Sequence, residues 1–263
     1  MALVASVASN IRLFSMNDCN NAEIVLENLP SGMQVMLGVW LASFDTELAT
    51  LIRLAKIKGF QGKVAGVSVG SEVLYRNEMS SADLITKIRQ VRSALADAGQ
   101  PSVKITCSEP LQLWNLDLLN VVDILFPTVY PFFGKLDIQG SVAKTMAWMD
   151  SVTASGSLTS KTMIISEIGW VSIFLIFFDN CLSSYFHLQP SSGASNGKAS
   201  PSIQIEIDHI QQILCFARKS NTKYFLFEAF DAAWKTGQNQ WEQSFGVFNA
   251  DRTRKINWNS GDC

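Results

Sequence analysis

The sequence predicts an α/β chain of the TIM (β/α)8-barrel class, on three observations. Short β-branched apolar runs alternate with helical stretches along the whole chain. The length, 263 residues, suits one barrel, a fold of roughly 250 residues. Two of the apolar runs, Val64–Ser71 and Met163–Glu167, bring a glutamate to their C-terminal tip. In a barrel that is the end where loops build sites.

The elements follow in order. Strands are expected over Ile11–Ser15, Gln34–Trp40, Val64–Ser71, Ser102–Cys107, Ile124–Val129, Met163–Glu167 and Tyr224–Glu228. Runs such as Val67-Ser68-Val69 and Ile164-Ile165 read as strands of a buried parallel sheet. Helices are expected over Asn20–Leu29, Thr46–Lys58, Ser80–Ala98, Leu111–Leu119, Ile138–Val152 and Pro201–Lys219. Ser80-Ser81-Ala82-Asp83 reads as an N-terminal cap, with an acid three residues after the serine. No linker, repeat or low-complexity tract divides residues 1–263, so one barrel domain is expected. Seven strands are visible where a barrel has eight, and Met1–Ala8 reads as the end of a helix. A first strand and most of a first helix are therefore expected to be missing.

Composition excludes several classes. A net charge of −2 leaves no electrostatic footprint for nucleic acid or an anionic membrane. The two histidines, His187 and His209, stand in no ligand spacing, which argues against a metal site and a Ser-His nucleophile. No cofactor is implied, and a monomer is expected. Of five cysteines, Cys19, Cys107, Cys181, Cys215 and Cys263, four remain when Cys181 is set aside; an even count is compatible with disulfides whose connectivity spacing does not give, and the rival reading is buried free thiols, with Cys107 and Cys215 as reasonable candidates. What remains is the pair Glu72 and Glu167. Most glutamates are ordinary surface residues; placement at two strand tips, with aromatic residues close by, shifts the odds. Paired carboxylates are the machinery of glycoside hydrolysis.

The motifs around these residues resemble a known family. They are Ile11-Arg12-Leu13-Phe14, Met36-Leu37-Gly38-Val39-Trp40, Val67–Arg76, Val129-Tyr130-Pro131-Phe132-Phe133, Ile165-Ser166-Glu167-Ile168-Gly169-Trp170, Phe227-Glu228-Ala229-Phe230-Asp231 and Phe245–Asp251. Together, and in this order, they are similar to the fungal members of glycoside hydrolase family 17, the β-1,3-glucanases and glucanosyltransferases. The resemblance implies a retaining mechanism on β-1,3-glucan, with Glu72 as acid/base and Glu167 as nucleophile. It places Ser71, Tyr130, Trp170, Glu228, Asp231 and Lys235 near the substrate, with Tyr130 donating its hydroxyl to Glu167. For Glu228 a purely structural role is as reasonable as ligand contact, and for Trp40 core packing competes with sugar stacking. It further implies an extracellular or cell-wall location. A transglycosylase and a non-catalytic glucan-binding wall protein are the alternative readings.

Two departures stand out. Ser71 takes the place of the asparagine that many relatives carry before the acid/base. And Trp170 is followed by Val171–Gln189 where the family continues Trp-Pro-Ser; removing those nineteen residues restores Trp170-Pro190-Ser191. Val-Ser is encodable as GTAAGT and Gln as CAG, so the insert reads as a translated, unspliced intron. A membrane span needs about 20 mostly apolar residues, and Asp179, Asn180 and His187 interrupt this one.

Overall fold

In the computed structural model the described residues are 1–156, 158–172, 195–235 and 240–257. Among them seven strands follow one another in chain order in one sheet: β1 (Asn10–Arg12), β2 (Gln34–Val39), β3 (Val64–Ser71), β4 (Ile105–Pro110), β5 (Pro127–Val129), β6 (Ile164–Ile168) and β7 (Lys223–Leu226). The helices are α1 (Ala2–Ala5), α2 (Asn21–Asn28), α3 (Phe44–Leu54), α4 (Phe60–Lys63), α5 (Ser81–Asp97), α6 (Leu116–Val121), α7 (Ser141–Ser155) and α8 (Ile203–Ser220). This is the predicted (β/α)-barrel order. The chain packs as two compact units, one of Met1–Thr128 with Met149–Ser166, the other of Val129–Trp148 with Glu167–Cys263.

In the first unit β1, β2, β3 and β4 pair in parallel, with Ile11 opposite Val35, Leu37 opposite Val67, and Val67 opposite Ile105. The β-branched runs form these strands because both faces are covered. Val35, Leu37, Val39, Val67 and Val69 are buried. Gly38 is required by close approach, since a Cβ there would stand 2.3 Å from the carbonyl oxygen of Leu13. Helix α5 buries Leu84, Ile88, Val91 and Leu95, one face at helical spacing. Its predicted cap forms: Ser80 Oγ accepts the Asp83 amide at 3.1 Å and donates to Asp83 Oδ2 at 2.6 Å.

In the second unit Phe132, Trp170, Val171, Ala199 and Phe245 form a buried cluster, with Tyr130, Phe227 and Trp241 packed against it. Gly169 lets β6 approach its neighbour, because a Cβ would meet the Phe227 carbonyl oxygen at 2.3 Å. Helix α8 starts at Ser202, whose hydroxyl accepts the Ile205 amide, and stops at Asn221 in the left-handed region.

Strand ends differ from expectation by a few residues, because pairing and not apolarity decides where a strand stops. The largest shift is β4, which runs on to Pro110 and pairs Glu109 with Pro127. Leu111–Leu119 is not one helix but a 3-10 turn, Leu111–Leu113, followed by α6, which Asn115 caps. Cys107 is a free buried thiol as expected, and Cys19 is free and exposed; Cys215, in contrast, is disulfide-bonded. Of the Val171–Gln189 insert, Val171 and Ser172 are buried, and Ser172 donates its amide to the Ser244 carbonyl. Residues 173–189 lie outside the described residues.

One buried acid fixes the loop after β1. Glu47, on α3 and wholly buried, accepts the Ser15 hydroxyl at 2.6 Å and the Met16 amide at 2.9 Å. Replacing it by alanine strands both donors. Glu47→Ala is expected to lower stability by about 2–3 kcal/mol, read as a lower urea midpoint with an unchanged slope. An unchanged midpoint would show that water replaces the carboxylate at no cost.

Candidate active site

The first unit carries Glu72. Strand β3 delivers it, and its backbone sits in the left-handed region at φ 56°, an uncommon conformation for a residue with a Cβ. The turn is held by main-chain bonds: the Glu72 amide donates to Ser108 O at 2.7 Å, and Glu72 O accepts the Arg76 amide at 2.9 Å. Arg76 Nη2 closes it further, donating to Ser71 O at 2.8 Å. The side chain is oriented by Thr128, whose hydroxyl donates to Glu72 Oε1 at 2.6 Å.

Arg12, from β1, reaches the residue before each glutamate. Its Nη2 donates to Ser71 Oγ at 3.1 Å and its Nη1 to the Ser166 carbonyl at 2.9 Å. The guanidinium stands over the rings of Phe14, at 4.4 Å, and Phe126, at 5.2 Å. Ser108 and Ser166 share a hydroxyl–hydroxyl bond of 2.7 Å beside it. Ser71 is thus part of the framework that positions Glu72. Trp40 is half-buried and has the Arg76 guanidinium 5.5 Å from its ring centroid.

The second unit carries Glu167. Tyr130 donates its hydroxyl to Glu167 Oε2 at 2.5 Å, as the resemblance implied. This is a charge-assisted bond when the carboxylate is ionised. The Tyr130 ring is fixed edge-on against Phe133, Phe227 and Phe245, with centroids 5.7–5.8 Å away. Trp170 departs from expectation. It is 1% exposed, packed edge-on to Phe132 and beside His209, with its Nε1 donating to Ser200 O. It has no ring face left for a sugar; its apolar bulk is used in the core.

Glu228 and Lys235 do come together, Lys235 Nζ lying 3.4 Å from Glu228 Oε1 and 3.8 Å from Glu242 Oε2. Burial pushes the Glu228 carboxyl up to about 7, against the pull of Lys235. Trp234 beside them is exposed. Asp231 is spent on structure: its Oδ1 accepts from Lys255 Nζ at 2.6 Å and from the Gly246 amide at 2.9 Å. Lys255 also lies 3.6 Å from the buried Glu206, whose carboxyl burial pushes up to about 8.

The sequence reading missed Glu109, which is wholly buried and accepts the amides of Leu74 at 3.0 Å and Tyr75 at 3.3 Å. The signal was present, a carboxylate at a strand tip, but the strand was expected to stop at Cys107. Arg12 stood in a quoted motif with no role attached to it. Among the described residues no three His, Cys, Asp or Glu side chains form a metal cluster, and no helix is long and apolar enough to cross a membrane.

These features meet in one family. Residues 1–173 match the BtgE/BtgC glycoside hydrolase domain. The chain belongs to that family. It is 29% identical over 284 residues to a putative glucan endo-1,3-beta-glucosidase, btgC, of Aspergillus niger, a match covering 100% of this chain and 40% of the relative. A probable glucan endo-1,3-beta-glucosidase of Aspergillus fumigatus is 30% identical, with 39% of its length covered. The chain therefore spans about two fifths of these relatives. A glucan 1,3-beta-glucosidase of Schizosaccharomyces pombe is 27% identical, over 98% of this chain and 78% of its own. Among solved structures, an active-site mutant of the Rhizomucor miehei β-1,3-glucanosyltransferase in complex with laminaritriose superposes with a TM-score of 0.81 at 24% identity, covering 99% of this chain and 90% of that one. A Cryptomeria japonica β-1,3-glucanase gives 0.73 at 16%, covering 98% and 92%. At these identities the structures show the fold: the family's chain is a (β/α) barrel.

The buried acids set a pH dependence. Glu109 and Glu228 are pushed up to about 7 and Glu206 to about 8, from an ordinary 4.5, chiefly by burial. A raised acid binds its proton more tightly folded than unfolded. Its contribution to stability is therefore complete below about 4.5 and is lost as pH rises through 7 to 8. Glu23, Glu78 and Asp251 are pulled the other way by hydrogen-bond partners, but they are exposed and count for little; the buried His209, pushed down to about 3, opposes the fall up to about 6.5, one group against three. The melting temperature is expected to fall between pH 4.5 and 8, and Glu228→Gln to flatten the fall below pH 7. A wild-type melting temperature that rises over this range would refute the assignment.

Proposed function

We propose that this chain hydrolyses β-1,3-glucan with retention of anomeric configuration, Glu167 acting as nucleophile and Glu72 as acid/base. The observation that carries the reading is that each carboxylate has its own hydroxyl donor. Thr128 binds Glu72 and Tyr130 binds Glu167, and the two donors flank Val129 in sequence. The relatives named as glucan endo-1,3-beta-glucosidases supply the substrate class.

In the first step Glu167 attacks the anomeric carbon, while Glu72 protonates the departing glycosidic oxygen. Tyr130 holds one oxygen of the nucleophile, Oε2, in place. In the second step Glu72, now ionised, takes a proton from water, and the attacking oxygen releases the sugar from Glu167. Such a pair works with its carboxyls about 5–5.5 Å apart. Glu228 and Lys235, a charged pair beside the exposed Trp234, are offered as contacts to sugar hydroxyls. An acceptor sugar in place of water makes the same chemistry a transglycosylation, a second reading favoured by the fold neighbour named as a glucanosyltransferase. The disulfide at Cys215 suits an oxidising compartment and supports an extracellular or wall location.

The test uses the roles themselves. Glu167→Ala is expected to lower kcat on laminarin by at least about 10³-fold, with azide restoring turnover and giving the α-glycosyl azide. Glu72→Ala with azide should give the β anomer. The same anomer from both variants would remove the assignment of roles. Chain lengths of the products then separate the two readings: laminarin shortened only is hydrolysis, and products longer than the donor oligosaccharide are transfer.

A further inference from the structure

Glu72 owes its aim to a tight turn of the backbone that starts at its own residue. The backbone reverses at Glu72 with φ 56°, two residues after Gly70 at φ 78°. A residue held in that region costs of order 1–3 kcal/mol unless its surroundings over-determine it. After Glu72 the chain makes one tight turn, in which Arg76 donates to Glu72 O, Asn77 to Leu74 O and Glu78 to Val73 O. This leaves the Leu74 and Tyr75 amides pointing inward without main-chain acceptors. Glu109 meets them. Its Oε1 accepts from Leu74 at 3.0 Å and its Oε2 from Tyr75 at 3.3 Å. Its position is fixed in turn by β4, where it pairs with Pro127, and by Trp114, whose Nε1 donates to the Glu109 carbonyl at 3.2 Å.

A wholly buried carboxylate is an expensive way to satisfy two amides. A serine or an asparagine would serve a structural cap. What the carboxyl group adds is two oxygens on one rigid group, one for each amide.

We propose that Glu109 is a positioning residue for the acid/base: by taking the amides that follow Glu72, it holds the strained turn in the one setting that aims the Glu72 carboxyl. The inference rests on the reading of Glu72 as acid/base. Glu109 carries no bond to the sugar and none to the reacting atoms in this account; it acts through the turn.

The experiment compares Glu109→Gln with wild type and Glu72→Gln, each as the full chain, on two substrates. Laminarin needs a proton on its leaving oxygen. A 2,4-dinitrophenyl β-laminaribioside does not, because dinitrophenolate departs unprotonated. The glutamine is isosteric, but its NH2 cannot accept the second amide, so the turn relaxes while the core stays filled. The expected result is a loss of about tenfold or more in kcat/KM on laminarin, on the scale of a small displacement of a reacting group, with less than about twofold change on the aryl substrate. Glu72→Gln should show the same pattern, larger. Equal losses on both substrates, or no loss on laminarin, would overturn the proposal and leave Glu109 as a structural cap. A different failure marks the underlying reading: Glu72→Gln itself as active as wild type on laminarin. Amide hydrogen exchange gives an arm independent of turnover. Exchange at Leu74 and Tyr75 should quicken in Glu109→Gln while the helix α5 amides stay protected; unchanged exchange at both would also overturn the proposal.

Discussion

The contact on which most of the site depends is the Arg12 guanidinium. One half-buried cation grips the Ser71 hydroxyl and the Ser166 carbonyl, and the next residue after each is a glutamate of the proposed pair. The geometry is that of a fork with fixed prongs, which is why arginine serves here and a lysine would not. Phe14 and Phe126 cover the planar group, so it is held by aromatic faces as well as by its bonds. Removing it would leave polar groups on β3 and β6 without their partner in a dry part of the sheet, a larger loss than the bonds themselves are worth. Within the first unit, one side chain on β1 thus ties the end of β3 to Ser166.

The second recurring device is the buried acid that receives main-chain amides. Glu47 does this for Met16, Glu109 for Leu74 and Tyr75, and Asp231 for Gly246. Loops at the tips of strands turn too sharply to satisfy their own N–H groups. A carboxylate offers more lone pairs than any neutral side chain, and tolerates burial when several donors face it. The cost appears in titration: Glu109 is lifted toward neutrality by burial although its amides pull the other way. Asp231 is likewise raised by burial, with Lys255 pulling it back.

The order of strands and the main helices were legible in sequence because buried parallel strands are locally apolar, and that signal survives without knowledge of partners. The two glutamates were legible for the same reason, as charges at the end of apolar runs, and so was the Tyr130–Glu167 bond through the family resemblance. What was not legible depends on distant pairing. Nothing near Glu109 in sequence says that β4 continues to Pro110. Lys255 stands 24 residues from Asp231, and only the fold shows that it claims the carboxylate assigned to sugar. Trp170 fails for another reason: an indole beside an active-site motif reads identically whether its face meets a ligand or Phe132. The β-strand ends were misjudged by residues whose apolar character outlasts their pairing.

Ser71 shows how such a framework absorbs a change of residue. An asparagine in its place would have an amide to extend past the strand. The serine hydroxyl is shorter and is 6% exposed; its oxygen accepts Arg12 Nη2. A short side chain keeps that bond inside the strand, where the cation already lies against Phe14. The Ser71 hydroxyl is in this way tied into the scaffold through Arg12. The proposed acid/base does not lose its setting, because Thr128 orients the carboxyl and Glu109 the turn, neither of them through residue 71. The geometry that surrounds Glu72 is carried by groups that a reading of the motif alone does not reach.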